Sequence, residues 1–404
     1  MNHTAVPLSS LFQIGSSKRV LKSQWKEYGV PFYRGREVTR LSLDGFVDNE
    51  LFISEEHYTE LAAKSGVPNA GDIVITAIGT IGNSYVVQEN DRFYFKDASI
   101  LWMKKKSEVS SQFVNLWLKS PFFFEQLDHG NGATVDTLTI QKLQNIKINL
   151  PDILEQQRIV SLLVKAFEAI ALARANSEKN QQNARILFNS YRQKVLTQKK
   201  EGWQEKPLSD LCDIKHGFAF KSEYFTNNGD YVLLTPGNFY ESGGYRDRGE
   251  KQKYYCGKIP DGFVLEPEAL LIAMTEQAAG LLGSPIIVPS KGKYLHNQRL
   301  GLVTSKTHIP WLNEFFFHVF NTESVRQAIH ESATGAKVRH TSPSKIGEVI
   351  VAFPTTIEEQ KKISDQLNDF QSETQHLESL YQRKIDALDE LKQSLLHQAF
   401  SGKL

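Results

Sequence analysis

From Pro354 onward, apolar side chains recur in alternating steps of four and three. Ile363, Leu367, Phe370, Leu377, Tyr381, Leu388, Leu391 and Leu395 mark the stripe, and only Thr374 and Lys384 hold its spacing with polar groups. A period near 3.5 predicts a coiled-coil helix. After Pro151 the same kind of stripe runs through Ile159, Leu163, Ala166, Ile170, Ala173 and Ser177, takes a second step of four to Gln181, and continues through Ala184, Phe188, Tyr191 and Val195. The extra step of four predicts a stutter. About 40 residues at 1.5 Å each make a rod of roughly 60 Å. Small and polar groups such as Ala166, Ala173, Ser177 and Gln181 weaken the first stripe, which favours antiparallel pairing with the leucine-rich second helix over self-association.

Before each helix the pattern changes. Short β-rich runs such as Asp72-Ile73-Val74-Ile75-Thr76, Ser84-Tyr85-Val86-Val87 and Leu270-Leu271-Ile272-Ala273 are broken at Gly79, Gly82, Gly280 and Gly283. Ser120-Pro121 predicts a helix start by N-cap and proline, and Asn321-Thr322-Glu323-Ser324 occupies the matching place later. Each mixed part therefore reads as α+β with a twisted, partly antiparallel sheet.

These two halves repeat each other. Pro7-Leu8-Ser9-Ser10-Leu11-Phe12-Gln13-Ile14 returns as Pro207-Leu208-Ser209-Asp210-Leu211-Cys212-Asp213-Ile214, and Asn131-Gly132-Ala133-Thr134-Val135 returns as Thr334-Gly335-Ala336-Lys337-Val338. Glu155-Gln156-Gln157-Arg158-Ile159 matches Glu359-Gln360-Lys361-Lys362-Ile363. A period of roughly two hundred residues is a duplicated domain, since solenoid units run to about 20 to 50. Two similar surfaces suit a target with two separated parts, of which DNA half-sites are one.

The chain of 404 residues, 40% hydrophobic and 23% charged, is ordinary for globular domains, and no apolar run approaches a membrane span. Asn2-His3-Thr4 shows no secretory pattern, and Cys212 and Cys256 lack metal-site spacing, so a reducing cytoplasm is the expected location. The net charge of +1 is low for a free-standing nonspecific DNA binder. Locally, however, Lys18, Arg19, Lys22, Lys26, Arg34, Arg36 and Arg40 face only Glu27 and Glu37 between residues 15 and 40. Residues 291–306 and 337–345 carry cations and no acid. No glycine-rich cofactor loop, methyltransferase tetrapeptide, GxxxxGK[ST] loop, nuclease carboxylate set or histidine ligand spacing occurs. Recognition, not catalysis, is the expectation.

At this point the chain resembles the specificity subunits of type I restriction-modification enzymes. The resemblance rests on the paired helix entries Leu150-Pro151-Asp152-Ile153-Leu154-Glu155-Gln156-Gln157-Arg158-Ile159 and Phe353-Pro354-Thr355-Thr356-Ile357-Glu358-Glu359-Gln360-Lys361-Lys362-Ile363. Gly217-Phe218-Ala219-Phe220-Lys221-Ser222, Gly79-Thr80-Ile81-Gly82 and the ending Leu391 to Leu404 match as well, while Gly15-Ser16-Ser17-Lys18-Arg19 departs from the family at its loop. The resemblance implies two target recognition domains, 1–150 and 203–353, separated by an antiparallel coiled coil of spacer helices, 151–202 and 354–404, with pseudo-twofold symmetry. It implies a non-catalytic subunit that binds a bipartite asymmetric sequence in double-stranded DNA and docks two modification subunits. Restriction and translocase subunits belong to some such assemblies. S-adenosylmethionine, ATP and magnesium would reside on those partners, and none in this chain.

Direct readout needs side chains with paired hydrogen-bonding groups on reachable loops. In the first half the candidates are Arg34, Arg36, Thr80, Asn83, Lys96 and Asp97, with Lys18 and Arg19 on phosphates. In the second they are Lys221, Asn238, Tyr240, Arg246, Gln277, Gln298 and Arg299, with Lys337, Arg339 and His340 near the backbone. Phe218 and Phe220 are expected as core anchors. Two other classes stay open: a coiled-coil adaptor that binds only proteins, and a self-sufficient methyltransferase or nuclease.

Overall fold

The structure is a computed structural model that describes residues 4–127, 137–198, 201–277 and 280–404. The first-repeat motif Asn131-Gly132-Ala133-Thr134-Val135 lies outside the described residues. Two compact units emerge, one from residues 1–178 with 382–404 and the other from 179–381. The division cuts through both long helices, Ile153–Thr197 and Ile357–Phe400, so each unit owns a stretch of each. Among the described residues no helix is long and apolar enough to cross a membrane.

In the first unit a four-stranded antiparallel sheet places its strands in the order Phe12–Gly15, Ile100–Lys105, Ile73–Thr76, Ser84–Val86. Ile73, Val74 and Ile75 are wholly buried, as a β-branched run with both faces covered should be. A smaller sheet joins Val30–Tyr33 antiparallel to Phe52–Ile53 and parallel to Tyr94–Phe95. The second unit repeats this order with Cys212–His216, Leu300–Ser305, Leu270–Ala273 and Pro285–Ile287. Its smaller sheet again contains one parallel pair, Tyr231–Leu233 with Lys293–Leu295. Gly82, at φ +95, shows why the turn after the central strand needs glycine, since an added Cβ would lie 2.9 Å from the Phe124 ring.

The expected helices begin at Pro121 and Glu323, but their starts work differently from N-capping. Ser120 donates its hydroxyl to the Trp117 carbonyl at 2.6 Å, and Thr322 donates to Val319 at 2.7 Å. Both hydroxyls close the end of the preceding helix.

Within the first unit the two long helices run antiparallel: Arg158 reaches the Leu404 carbonyl, and Arg174 pairs with Asp389. Within the second, Arg185 pairs with Glu378 at 2.6 Å and Tyr191 packs edge-on against Phe370. The first stripe follows its expected path through the stutter, with Ile159, Leu163, Ile170, Ser177, Ala184 and Phe188 buried. It then shifts by one residue, burying Arg192 and Leu196 while Tyr191 is exposed. The second stripe departs earlier. Leu377 and Leu391 are exposed, and Ile385 is buried in place of the neighbouring Lys384. A helix of 3.6 residues per turn drifts off a strict 3.5-residue repeat, so the covered face moves one position along.

The duplicated glutamine explains how each helix is anchored. Gln156 is 2% exposed, accepts the Ser110 N–H at 2.9 Å and donates to the Pro151 carbonyl at 2.8 Å. Gln360 accepts from Leu312 N–H at 2.9 Å and donates to Pro310 and Pro354. One amide thus satisfies buried backbone groups on two elements, and the helix entry is locked to the loop before the helices Ser111–Leu118 and Asn313–Phe320.

Candidate nucleic-acid interface

The second unit contains a concavity of about 870 Å³ whose wall includes Tyr240, Arg246, Gln277 and Arg299. Backbone geometry fixes their roots. Arg299 donates its N–H to Asn297 Oδ1 at 3.0 Å and accepts from Met274 N–H at 3.0 Å, which leaves its exposed guanidinium to point outward from a fixed turn. Gln277 follows Glu276, a residue 3% exposed whose Oε2 accepts three N–H groups, from Gly280, Leu281 and Leu282, at 2.9 to 3.1 Å. His330 Nε2 lies 2.9 Å from the other carboxylate oxygen. The three N–H groups hold one Glu276 oxygen and organise the turn that presents Gln277, while the other oxygen makes no hydrogen bond among the described residues. Arg246 sits over the half-exposed Tyr240 ring at 5.8 Å.

Other cations of the same wall carry no expectation from the sequence. Arg192, Arg248 and Lys253 line it beside the candidates, and Arg185 is already paired with Glu378. Arg192 comes from the long helix, a place where periodicity points to packing and nothing signals an opening beside it. Strand Arg339–His340 pairs with Thr275–Glu276, which brings two more candidates next to the Gln277 turn. His340 and Lys337 are exposed, while the half-buried Arg339 donates to the His330 carbonyl at 2.5 Å. Gln298 is exposed beside Arg299. Lys221 is exposed, with Glu223 at 3.8 Å. Phe220 is buried as expected of an anchor, whereas Phe218 is 36% exposed and packs edge-on against it.

Asn238 is a correction. It is wholly buried, donates to Gln252 Oε1 at 2.8 Å and to the Arg246 carbonyl, and accepts the Thr235 N–H at 3.0 Å. Its amide is consumed in building the loop that carries Arg246, so it does not face a groove.

In the first unit a smaller cleft of about 390 Å³ is lined by Arg36, Thr39, Arg40, Thr76 and Thr80. The buried Thr76 hydroxyl donates to the Thr80 carbonyl at 2.5 Å and accepts from Asn83 N–H at 3.0 Å, pinning the loop so that Thr80 is exposed. Asn83 is half-buried with its amide on Thr39 Oγ1 at 3.0 Å. Lys96 is exposed and Asp97 half-buried. Lys18 and Arg19 are exposed, and the Lys18 N–H donates to the Tyr94 hydroxyl at 2.8 Å.

Arg34 differs from its expected position. Its Nε and Nη2 both donate to the buried Glu37, and its backbone N–H donates there as well, so this arginine closes the start of helix Gly35–Asp44. Arg36 shares Glu37 and also reaches Glu50. Burial opposes the Glu37 charge, but hydrogen bonds from Arg34 and Arg36 outweigh it and hold the carboxyl down at about 2.

The profile of the family described as "Type I restriction modification DNA specificity domain" matches residues 3–182 and again 200–384. A Haemophilus influenzae protein carrying the name of a type I restriction enzyme specificity subunit is 29% identical over 194 residues, 46% of this chain and 48% of that protein. The EcoBI specificity subunit of Escherichia coli is 25% identical over 226 residues, 54% of this chain and 44% of its own length. The match thus spans about half the length of these two relatives. In fold, the chain is similar to one in a solved structure of the type I R-M system, with a TM-score of 0.77, 17% identity and coverage of 99% and 98% of the two chains. It is also similar to the HsdS subunit of Thermoanaerobacter tengcongensis, with a TM-score of 0.61, 17% identity and coverage of 99% and 97%. With the profile matched twice and over most of its length, this chain belongs to the family of type I restriction-modification DNA specificity domains.

Proposed function

We propose that the chain is the DNA-recognition subunit of a type I restriction-modification assembly, and that each compact unit reads one half of a bipartite, asymmetric target in double-stranded DNA. The observation that carries this reading is the concave wall of the second unit, where Arg246, Gln277 and Arg299 stand beside Arg192, Arg248 and Lys253, which make no ion pair among the described residues. Arginine and glutamine can each make two hydrogen bonds to one base edge, which is the chemistry of direct readout. In the first unit, Thr80 and Lys96 are exposed on loops, and Thr80 shares a cleft with Arg36 at the start of helix Gly35–Asp44.

In this reading the chain performs no chemistry. Two modification subunits dock on it and use S-adenosylmethionine to methylate adenine in each half-site, and restriction subunits with ATP and magnesium join where the system cuts DNA. Mapping methylated adenines in a host that expresses the chain with its modification subunit is the test. One interrupted motif, lost when the chain is deleted, is the expected result. Methylation that persists without the chain would sink the reading.

A further inference from the structure

Arg192 is a buried cation without a counter-ion. It is 7% exposed and lies on the stretch of the first long helix that belongs to the second unit. Its Nη2 donates to Asn189 Oδ1 at 3.0 Å, its guanidinium lies over the Phe188 ring at 5.2 Å, and its buried Nε finds no acceptor among the described residues. Enclosing a charge with so few partners is unfavourable unless something else supplies the anion. The carboxylates of the same concavity, Glu241, Glu276 and Glu378, make no ion pair with it among the described residues. Arg326 adds like charge, and burial with that neighbour holds the Arg192 guanidinium down at about 10. Glu378 is committed to Arg185, and Glu276 to three backbone N–H groups and His330.

This residue lines the concavity with Arg246, Arg248, Lys253 and Arg299. We propose that Arg192 is a phosphate-binding residue and that the concavity seats a phosphodiester of the DNA backbone beside the half-site read by the second unit. The proposal rests on the DNA-recognition reading above. Two features favour a backbone phosphate over a base edge. The charge comes from a packed helix and not from a readout loop, and phosphate needs no donor and acceptor pattern, only concentrated positive charge.

The test uses the full chain assembled with its modification subunit. Binding to target duplex and to random duplex is measured across a salt series for the wild type, Arg192→Met and Arg192→Lys. A phosphate-binding cation that is uncompensated in the free protein predicts that Arg192→Met melts no lower than the wild type. It also predicts that the magnitude of the log K against log salt slope falls by about one on both duplexes, while Arg192→Lys keeps the slope. Failure of Arg192→Met to fold would make the arginine structural and overturn the proposal. So would an unchanged slope, or a loss confined to the target duplex. A wild-type assembly with no affinity for DNA would instead sink the recognition reading of the whole chain.

Discussion

Arg299 is held at its root and exposed at its head, which is the condition for reading a base without a large loss of side-chain freedom on binding. Arg299→Ala should therefore weaken binding by about 1 to 3 kcal/mol and relax preference at one base position in one half-site only. Affinities for a panel of singly substituted duplexes check this, and an equal loss on every duplex would reassign Arg299 to a phosphate. Arg34 belongs to a different class, because its guanidinium is spent on Glu37. The two arginines thus have different jobs, and the difference lies in whether a buried carboxylate stands within reach. His318 adds a pH dependence. It is wholly buried, bonds Asn368 Oδ1 at 2.9 Å, and burial pushes its imidazole down to about 4. His296, buried against the Leu300 carbonyl, is pushed down to about 4 in the same way. The folded pKa lies below the unfolded value of about 6.5, so the unfolded chain takes up protons first as pH falls. Stability is complete above about pH 6.5 and declines toward pH 4 by roughly 1.4 kcal/mol per pH unit for each histidine. Urea midpoints at pH 7 and pH 5 should show a smaller difference in His318→Gln than in the wild type.

At the scale of elements, the long helices are set by their periodicity but attached by their first turns. Gln360 and Gln156 each bridge a helix entry to a neighbouring loop through bonds that nothing else replaces. Gln360→Leu keeps much of the side-chain volume and leaves the Leu312 N–H without its partner, so it should destabilise the second unit by about 1 to 3 kcal/mol. Thermal or urea unfolding measures that loss, and Gln360→Glu should not restore full stability, because a carboxylate accepts the Leu312 N–H but cannot donate to the Pro310 and Pro354 carbonyls. Leu377 and Leu391 teach the complementary lesson. A leucine every seven residues is a good sign of a helix and a poorer guide to its covered face, because helical drift accumulates along 44 residues. The identity of the element survives such drift, while the identity of its buried positions does not.

For the whole molecule, each compact unit contains part of both long helices, and the boundaries fall at 178/179 and 381/382. Inserting four helical residues at each boundary leaves the contacts inside each unit in place and adds about 6 Å of helix. If the helices act as a ruler, methylome mapping of this variant should return the same half-site bases with an unspecified spacer longer by one or two base pairs, at about 3.4 Å each. Changed bases at an unchanged spacing would exclude a ruler. The sequence by itself determined the duplication, both long helices, the α+β character of the mixed parts and the turns at Gly79 to Gly82, because these depend on local order: a repeat, a period, a glycine. Thr80, Gln277 and Arg299 were legible as exposed loop side chains for the same reason. Tertiary structure alone decided that Asn238 builds a loop from inside, that Arg34 closes a helix, and that Arg192 lines a basic concavity without a counter-ion. Those roles depend on which groups distant in sequence come within about 3 Å and which are cut off from water, and neither is written in the spacing of residues along the chain.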